Sequence, residues 1–205
     1  MRKGNKIIII AISLIIFLFF TMCGYPYCKK YTLNEGELSW LGCYKDNDTL
    51  FFYCKENHSV DTAIINKVTV HNPVTRIPIP EDFGWLEGDH IYKGVGTIEF
   101  TLKHNSIEYP CVLTIIKEQN NVAAFFDIAF CGNYLIERIE LPQPKESNFK
   151  KNKQTNDSIV DIHENQLEKG QFQNILPINR ILWSQNFGLS KYSVNDNIFT
   201  LLVKE

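Results

Sequence analysis

Several things are scarce in this chain of 205 residues, and each scarcity removes a class of function. There is no basic excess: 21 Lys and Arg stand against 23 Asp and Glu, a net charge of −2, with no basic stripe. A nucleic-acid binder that works by neutralising phosphates is not expected from that balance. No GxSxG elbow, HExxH pair, Walker loop or GxGxxG turn occurs, so the common local signatures of hydrolases, zinc proteases and nucleotide enzymes are missing. His163-Glu164 begins like a zinc-protease motif but stops short, because position 167 is Leu. The cysteines after the leader (Cys28, Cys43, Cys54, Cys111 and Cys131) contain no CxxC pair, which argues against a structural zinc site. Helical periodicity long enough to cover a parallel sheet is also lacking, which excludes α/β architecture.

What is present starts at the N-terminus. Arg2, Lys3 and Lys6 precede an uncharged, apolar run from Ile7 to Phe20 in which Ser13 is the one polar residue, followed by Thr21, Met22 and Cys23. Positive charge ahead of an uncharged apolar core is the pattern read by export machinery. Residues 1–23 are therefore expected to be a signal peptide or a membrane anchor. Three outcomes stay open: lipidation of Cys23 after cleavage, an uncleaved anchor, or cleavage with release. For the anchor, Ile7 to Tyr27 is 21 residues, about 31 Å as a helix and just enough to span a bilayer. All three place the remainder outside the cytoplasm, facing away from it at the cell envelope. Cleavage before Cys23 leaves 18 basic and 23 acidic residues, a net −5, which disfavours a polybasic grip on lipid.

Residues 24–47 read as a juxtamembrane segment with one short helix, signalled by Asn34 and Glu37 spaced as a capping box ahead of Leu38, Trp40 and Leu41. Residues 48–205 read as a β-domain. Leu50 to Cys54 and Ala63 to Val70 are rich in aromatic and β-branched residues, with the turn formers Glu56 to Ser59 between them. Gly96 to Lys103 alternates, with Ile98, Phe100 and Leu102 on one face. Tyr109 to Cys131 reads as a hairpin centred on Asn120-Asn121, which suits a two-residue type I′ turn. That centre sets Ile115 opposite Phe126, Leu113 opposite Ile128 and Cys111 opposite Phe130. It also puts Cys111 and Cys131 on opposite faces, so no bond is expected between them. Cys54 and Cys111 are expected to be small buried apolar residues.

Tyr134 to Leu141 adds a strand, and residues 142–157 form a polar loop. Ile178 to Ser184, Gly188 to Val194 and Ile198 to Val203 make a terminal meander. The fold class is thus all-β, an antiparallel β-sandwich or small open barrel behind an apolar N-terminal helix. Gly188 needs no ligand to explain it, since glycine often stands where a strand starts or bends. The sequons at Asn47, Asn57 and Asn156 would matter only in a eukaryotic secretory pathway.

Three stretches resemble a known group. Phe20-Thr21-Met22-Cys23-Gly24 is similar to a bacterial lipobox, with Met22 where the motif has a small residue. Glu37-Leu38-Ser39-Trp40-Leu41 with Asp48 to Phe52, and Ile181 to Ser184 with Phe187 to Tyr192 and Phe199 to Leu202, resemble the mature start and terminal hairpin of small envelope lipoproteins of Bacteroidota-type bacteria. The resemblance implies an all-β, lipid-anchored envelope protein, usually of unassigned function.

The leading expectation is accordingly a non-catalytic binding or assembly module on a membrane, without a cofactor. Its partner would be an envelope protein, a glycan or an apolar ligand. A barrel with an apolar cavity would suit a small-ligand carrier, and a filled one would suit protein contact. The alternative is a secreted hydrolase in which Glu81, Asp82 and His90 of the loop Glu81, Asp82, Glu87, Asp89 and His90 converge for acid-base work. That loop does not have EF-hand spacing. Cys28, Cys43 or Cys131 beside His58, His71 or His104 could form a nucleophilic pair, although no local motif supports one.

Overall fold

The computed structural model describes residues 10, 12–17, 28–73, 90–142, 157–171 and 174–202. Alternating apolar residues produce a succession of short strands. They are β1 (Cys28–Lys30), β2 (Thr49–Cys54), β3 (Val60–His71), β4 (His90–Tyr92), β5 (Gly94–His104), β6 (Ile107–Lys117) and β7 (Phe125–Phe130). Then come β8 (Asn133–Leu135), β9 (Ile139–Glu140), β10 (Ile159–His163), β11 (Leu167–Lys169), β12 (Ile178–Ser184), β13 (Gly188–Val194) and β14 (Asn197–Leu201). A short helix, α1 (Glu35–Leu38), lies between β1 and β2.

The main sheet is antiparallel and runs β10-β12-β13-β14-β2-β3-β5-β6-β7-β8-β11, with β9 added beside β7. Its two terminal strands are consecutive in the chain. β10 pairs with β12 and β11 pairs with β8, joined only by a 3-10 turn at Glu164–Gln166. One bent stretch of chain therefore brings both edges of the sheet together, and the sheet curves into a nearly closed barrel. Closure removes exposed edges that would otherwise pair with other chains. Of the two all-β forms expected, the barrel is the one observed.

Alternation decides the interior. Along β5 the inward Ile98, Phe100 and Leu102 are buried, whereas Glu99 and Lys103 face out. The β6–β7 register is the expected one, with Leu113 opposite Ile128 and Ile115 opposite Phe126. The turn differs. Seven residues (118–124) separate these strands rather than a type I′ pair, and Asn120 and Asn121 have no positive φ. The loop widens because Ala124 is drawn off the ladder: its N–H donates to the Glu37 carboxylate and its carbonyl accepts from Leu141 N–H. The expected strand from Tyr134 to Leu141 is likewise split into β8 and β9, which pair with opposite ends of β7.

Phe52, Phe100, Phe126, Phe130, Trp183, Tyr192 and Phe199 fill the barrel. Tyr192 stacks on Phe199 at 4.9 Å, and Phe130 and Phe52 meet Tyr192 edge-on. One mouth, where β2, β5, β7 and β13 begin, is plugged by residues 31–47. The expected capping box is present: Asn34 Oδ1 accepts from Glu37 N–H, and Glu37 Oε2 accepts from Asn34 N–H. From Leu33 onward the segment expected to be juxtamembrane packs into the β-domain itself, with Leu33, Trp40, Leu41 and Tyr44 all in the core. Gly96 leaves room for Leu41, whose Cδ1 lies 2.2 Å from where a Cβ would stand.

Candidate functional site

Several of the residues singled out from the sequence fall outside the described residues. These are Cys23, the acidic loop Glu81, Asp82, Glu87 and Asp89, and the lysine-bearing loop 143–156. His90 opens β4, which pairs in parallel with β1 at Cys28. His163 is exposed at the start of the 3-10 turn, beside Asp161 at 3.4 Å. His58 bonds Tyr53 at the β2–β3 turn. Among the described residues, no three His, Cys, Asp or Glu side chains are grouped to hold a metal ion.

One histidine is inside. Asp61 at the start of β3 and His104 at the end of β5 project into the barrel's other end, and Nδ1 of His104 lies 2.6 Å from Asp61 Oδ2. Tyr192 O–H donates to the same oxygen. On the far side of the ring, Asn105 Nδ2 is 2.9 Å from Nε2. With that amide donating to Nε2, the Nδ1–H is the proton offered to Asp61. An Asp–His pair of this kind orients imidazoles in hydrolases, where Nε2 faces a nucleophile. Here Nε2 is occupied by a neighbouring amide, and the third member, Tyr192, is bonded to the carboxylate instead. Burial, then the bond to Asp61, raises the Tyr192 phenol well above its ordinary value, so it remains a donor. The trio ties β3, β5 and β13 together across the interior.

Face alternation separates Cys131 from Cys111, and Cys131 is one of three cysteines that could stand beside a histidine, but the structure brings the two cysteines together. Their sulfurs are 3.6 Å apart, and both residues are buried. The register is as expected. Cys131, however, has φ 52°, which breaks the alternation at the end of β7 and turns its side chain inward. Cys54 and Cys111 are buried as expected.

A partly apolar surface groove lies at the plugged mouth, with Asp48 on its rim. The start of β2 (Thr49, Leu50, Phe51), the β12–β13 turn (Asn186, Phe187) and the end of β14 (Leu201, Leu202) enclose a groove of about 310 Å³ floored by Cys43 and Tyr44. Phe51, Phe187 and Leu202 are 41%, 48% and 49% exposed. The groove is rigidly built. Tyr44 O–H donates to the Phe187 carbonyl at 3.2 Å and accepts from Leu189 N–H at 2.7 Å. Gly188, at φ 69°, has no side chain in the way, whereas a Cβ there would meet the Tyr44 hydroxyl at 2.2 Å. Asp157 holds the turn from behind, accepting from Ser184 Oγ at 2.5 Å and Asn186 N–H at 3.2 Å. Burial, and less so the Asp48 charge, outweighs a backbone hydrogen bond and pushes the Cys43 thiol up to about 12. The groove thus offers apolar contact without a reactive nucleophile. No signal marked it in the sequence, because its walls come from four distant segments.

No family model, curated protein or solved structure matches the chain.

Proposed function

We propose that this protein is a non-catalytic binding module of the cell envelope, held on a membrane by its N-terminal segment and engaging an apolar segment of a partner protein. The observation that carries the reading is the pairing of an aromatic-filled barrel with a preformed apolar groove at one mouth. A filled interior leaves ligand contact to the surface, and small apolar clefts with a few polar neighbours are usual binding sites. The membrane part rests on the leader: residues 12–17 are helical, and Ile12, Leu14, Ile15, Ile16 and Phe17 are all exposed. A helix whose exposed side chains are apolar but for Ser13 is best accommodated in an apolar medium. Among the described residues no helix is long and apolar enough to cross a membrane, and lipidation of Cys23 would anchor the chain without one.

The test places a photo-reactive phenylalanine analogue at position 187 of the full chain in its native cells, and the same analogue at position 99 on the outer face of β5. The reading expects one discrete cross-linked protein from position 187, none from position 99, and loss of the product in Phe51→Ser. Equal labelling from both positions overturns it. Mass spectrometry of the N-terminal peptide reads the anchor separately: a diacylated Cys23 supports lipidation.

A further inference from the structure

The β7–β8 connection is a two-residue turn, because Phe130 pairs with Asn133 across Cys131-Gly132. Both turn residues have positive φ, 52° at Cys131 and 83° at Gly132, which defines a type I′ turn. The first position of such turns favours Asn, Asp or Gly, since other side chains tolerate the left-handed region poorly. Here a cysteine occupies it, and the turn is pinned in that shape. Asn133 Nδ2 donates to the carbonyls of Phe130, Cys131 and Leu176, and Leu176 N–H donates to Cys131 O.

The consequence is a sulfur aimed at a second sulfur. Cys111 on β6 lies one step along the ladder from the turn, and the Cys131 N–H points at Cys111 Sγ from 3.4 Å. The sulfur separation of 3.6 Å exceeds a covalent bond by about 1.5 Å. We propose that Cys111 and Cys131 are a disulfide site, stapling β6 to the β7–β8 turn when the chain folds in an oxidising compartment.

Timing follows from burial. Cys111 and Cys131 are 1% and 0% exposed in the finished barrel. Burial, and then the Cys111 contact, raises the Cys131 thiol well above its ordinary value. Thiolates rather than thiols attack disulfides, so burial of both sulfurs and the raised Cys131 thiol disfavour exchange in the folded chain. The hairpin that carries them is local in sequence, while the closing stretch Ile159–Lys169 comes later in the chain. Oxidation therefore belongs to the interval after hairpin formation and before closure. One cysteine thiolate attacks a small-molecule or protein disulfide and displaces a thiolate, giving a mixed disulfide. The second cysteine, after losing its proton, attacks that bond and expels the other half. Two thiols of this chain become one disulfide, the oxidant becomes two thiols, and the protons pass to the leaving sulfurs.

In the test, the detergent-solubilised full chain is reduced and unfolded in urea, then refolded in a mixture of reduced and oxidised glutathione. Remaining thiols are blocked with N-ethylmaleimide, and the digest is mapped by mass spectrometry. The expected result is a Cys111 peptide joined to a Cys131 peptide. The oxidised chain should also show a melting temperature roughly 5–10 °C above the reduced one, as a loop of about 20 residues allows. Cys111→Ala and Cys131→Ala should recover a β-type far-UV spectrum yet lose both signals. The reduced chain kept folded throughout should not acquire the bond under the same conditions. Alkylation of both sulfurs in a refolded chain with native far-UV signal overturns the proposal, as does pairing of either with another cysteine. Equal oxidation of the folded chain overturns the timing.

Discussion

Glu37 is where the plug is joined to the barrel, and its replacement has a calculable cost. One carboxylate serves three donors. Oε2 accepts from Asn34 N–H at 2.9 Å and closes the capping box, while Oε1 accepts from Lys117 Nζ at 2.5 Å and Ala124 N–H at 3.0 Å. The side chains of Glu37 and Lys117 are only 9% and 5% exposed. Glu37→Gln keeps the shape and removes the charge, leaving the Lys117 ammonium buried without a counter-ion. Such half-broken buried pairs cost about 3–5 kcal/mol. Lys117→Met leaves the mirror-image defect, eased by the two backbone N–H donors that still serve the carboxylate, and should cost about 2–4 kcal/mol. The double variant Glu37→Gln/Lys117→Met removes both charges together, and apolar or neutral replacements of a whole buried pair are often close to neutral. Its cost should therefore fall well below the sum of the single changes, by about 3 kcal/mol or more. Urea unfolding of all four chains in the same detergent, followed by far-UV circular dichroism, measures this cycle. Single variants within about 0.5 kcal/mol of the parent, with an additive double, would refute the claim that the ion pair locks the plug.

The glycines that receive the plug should rank by what their missing Cβ would strike. Gly188→Ala meets backbone strain at φ 69° and the Tyr44 ring together, and should cost about 3 kcal/mol or more. Gly96→Ala meets only the end of Leu41 and should cost about 1–3 kcal/mol. The same unfolding assay reads both, and the reverse order contradicts the packing. Cys43 offers a check on the groove floor. A thiol raised from 9.0 to about 12 should react with a small maleimide at pH 8 on the order of a thousandfold more slowly than in urea. Equal rates in the folded and unfolded chains count against a protected groove.

Much of this architecture is visible in strictly local patterns, and the failures share a cause. The alternation of Ile98, Phe100 and Leu102 needs no distant partner to be read, nor does the Asn34–Glu37 capping box or the symmetry that pairs Leu113 with Ile128. The centre of the β6–β7 hairpin was legible, but its turn was not, because a carboxylate from a helix 87 residues earlier pulls Ala124 out of line. Closure of the barrel was hidden for a similar reason. β11 is three residues long, too short for periodicity to distinguish it from loop, and β10 is only five. Their role depends on pairing with strands at opposite ends of the sheet order.

The Cys111–Cys131 contact exposes the limit of face-counting most sharply. Counting alternate residues assigns faces correctly only while each residue keeps extended φ and ψ. At Cys131 φ changes sign, so the parity argument fails at the residue on which the pairing depends. The Cys-Gly dipeptide before Asn133 carried the available signal, since Gly at the second position of a two-residue link marks a type I′ turn even without a preceding Asn. The same logic explains why the groove was unreadable. Phe51 and Leu202 lie near the ends of paired strands, and Phe187 sits in a turn whose shape depends on Gly188, Tyr44 and Asp157. None of these neighbours is close in sequence to all the others, so their convergence is a property of the closed barrel rather than of any segment within it.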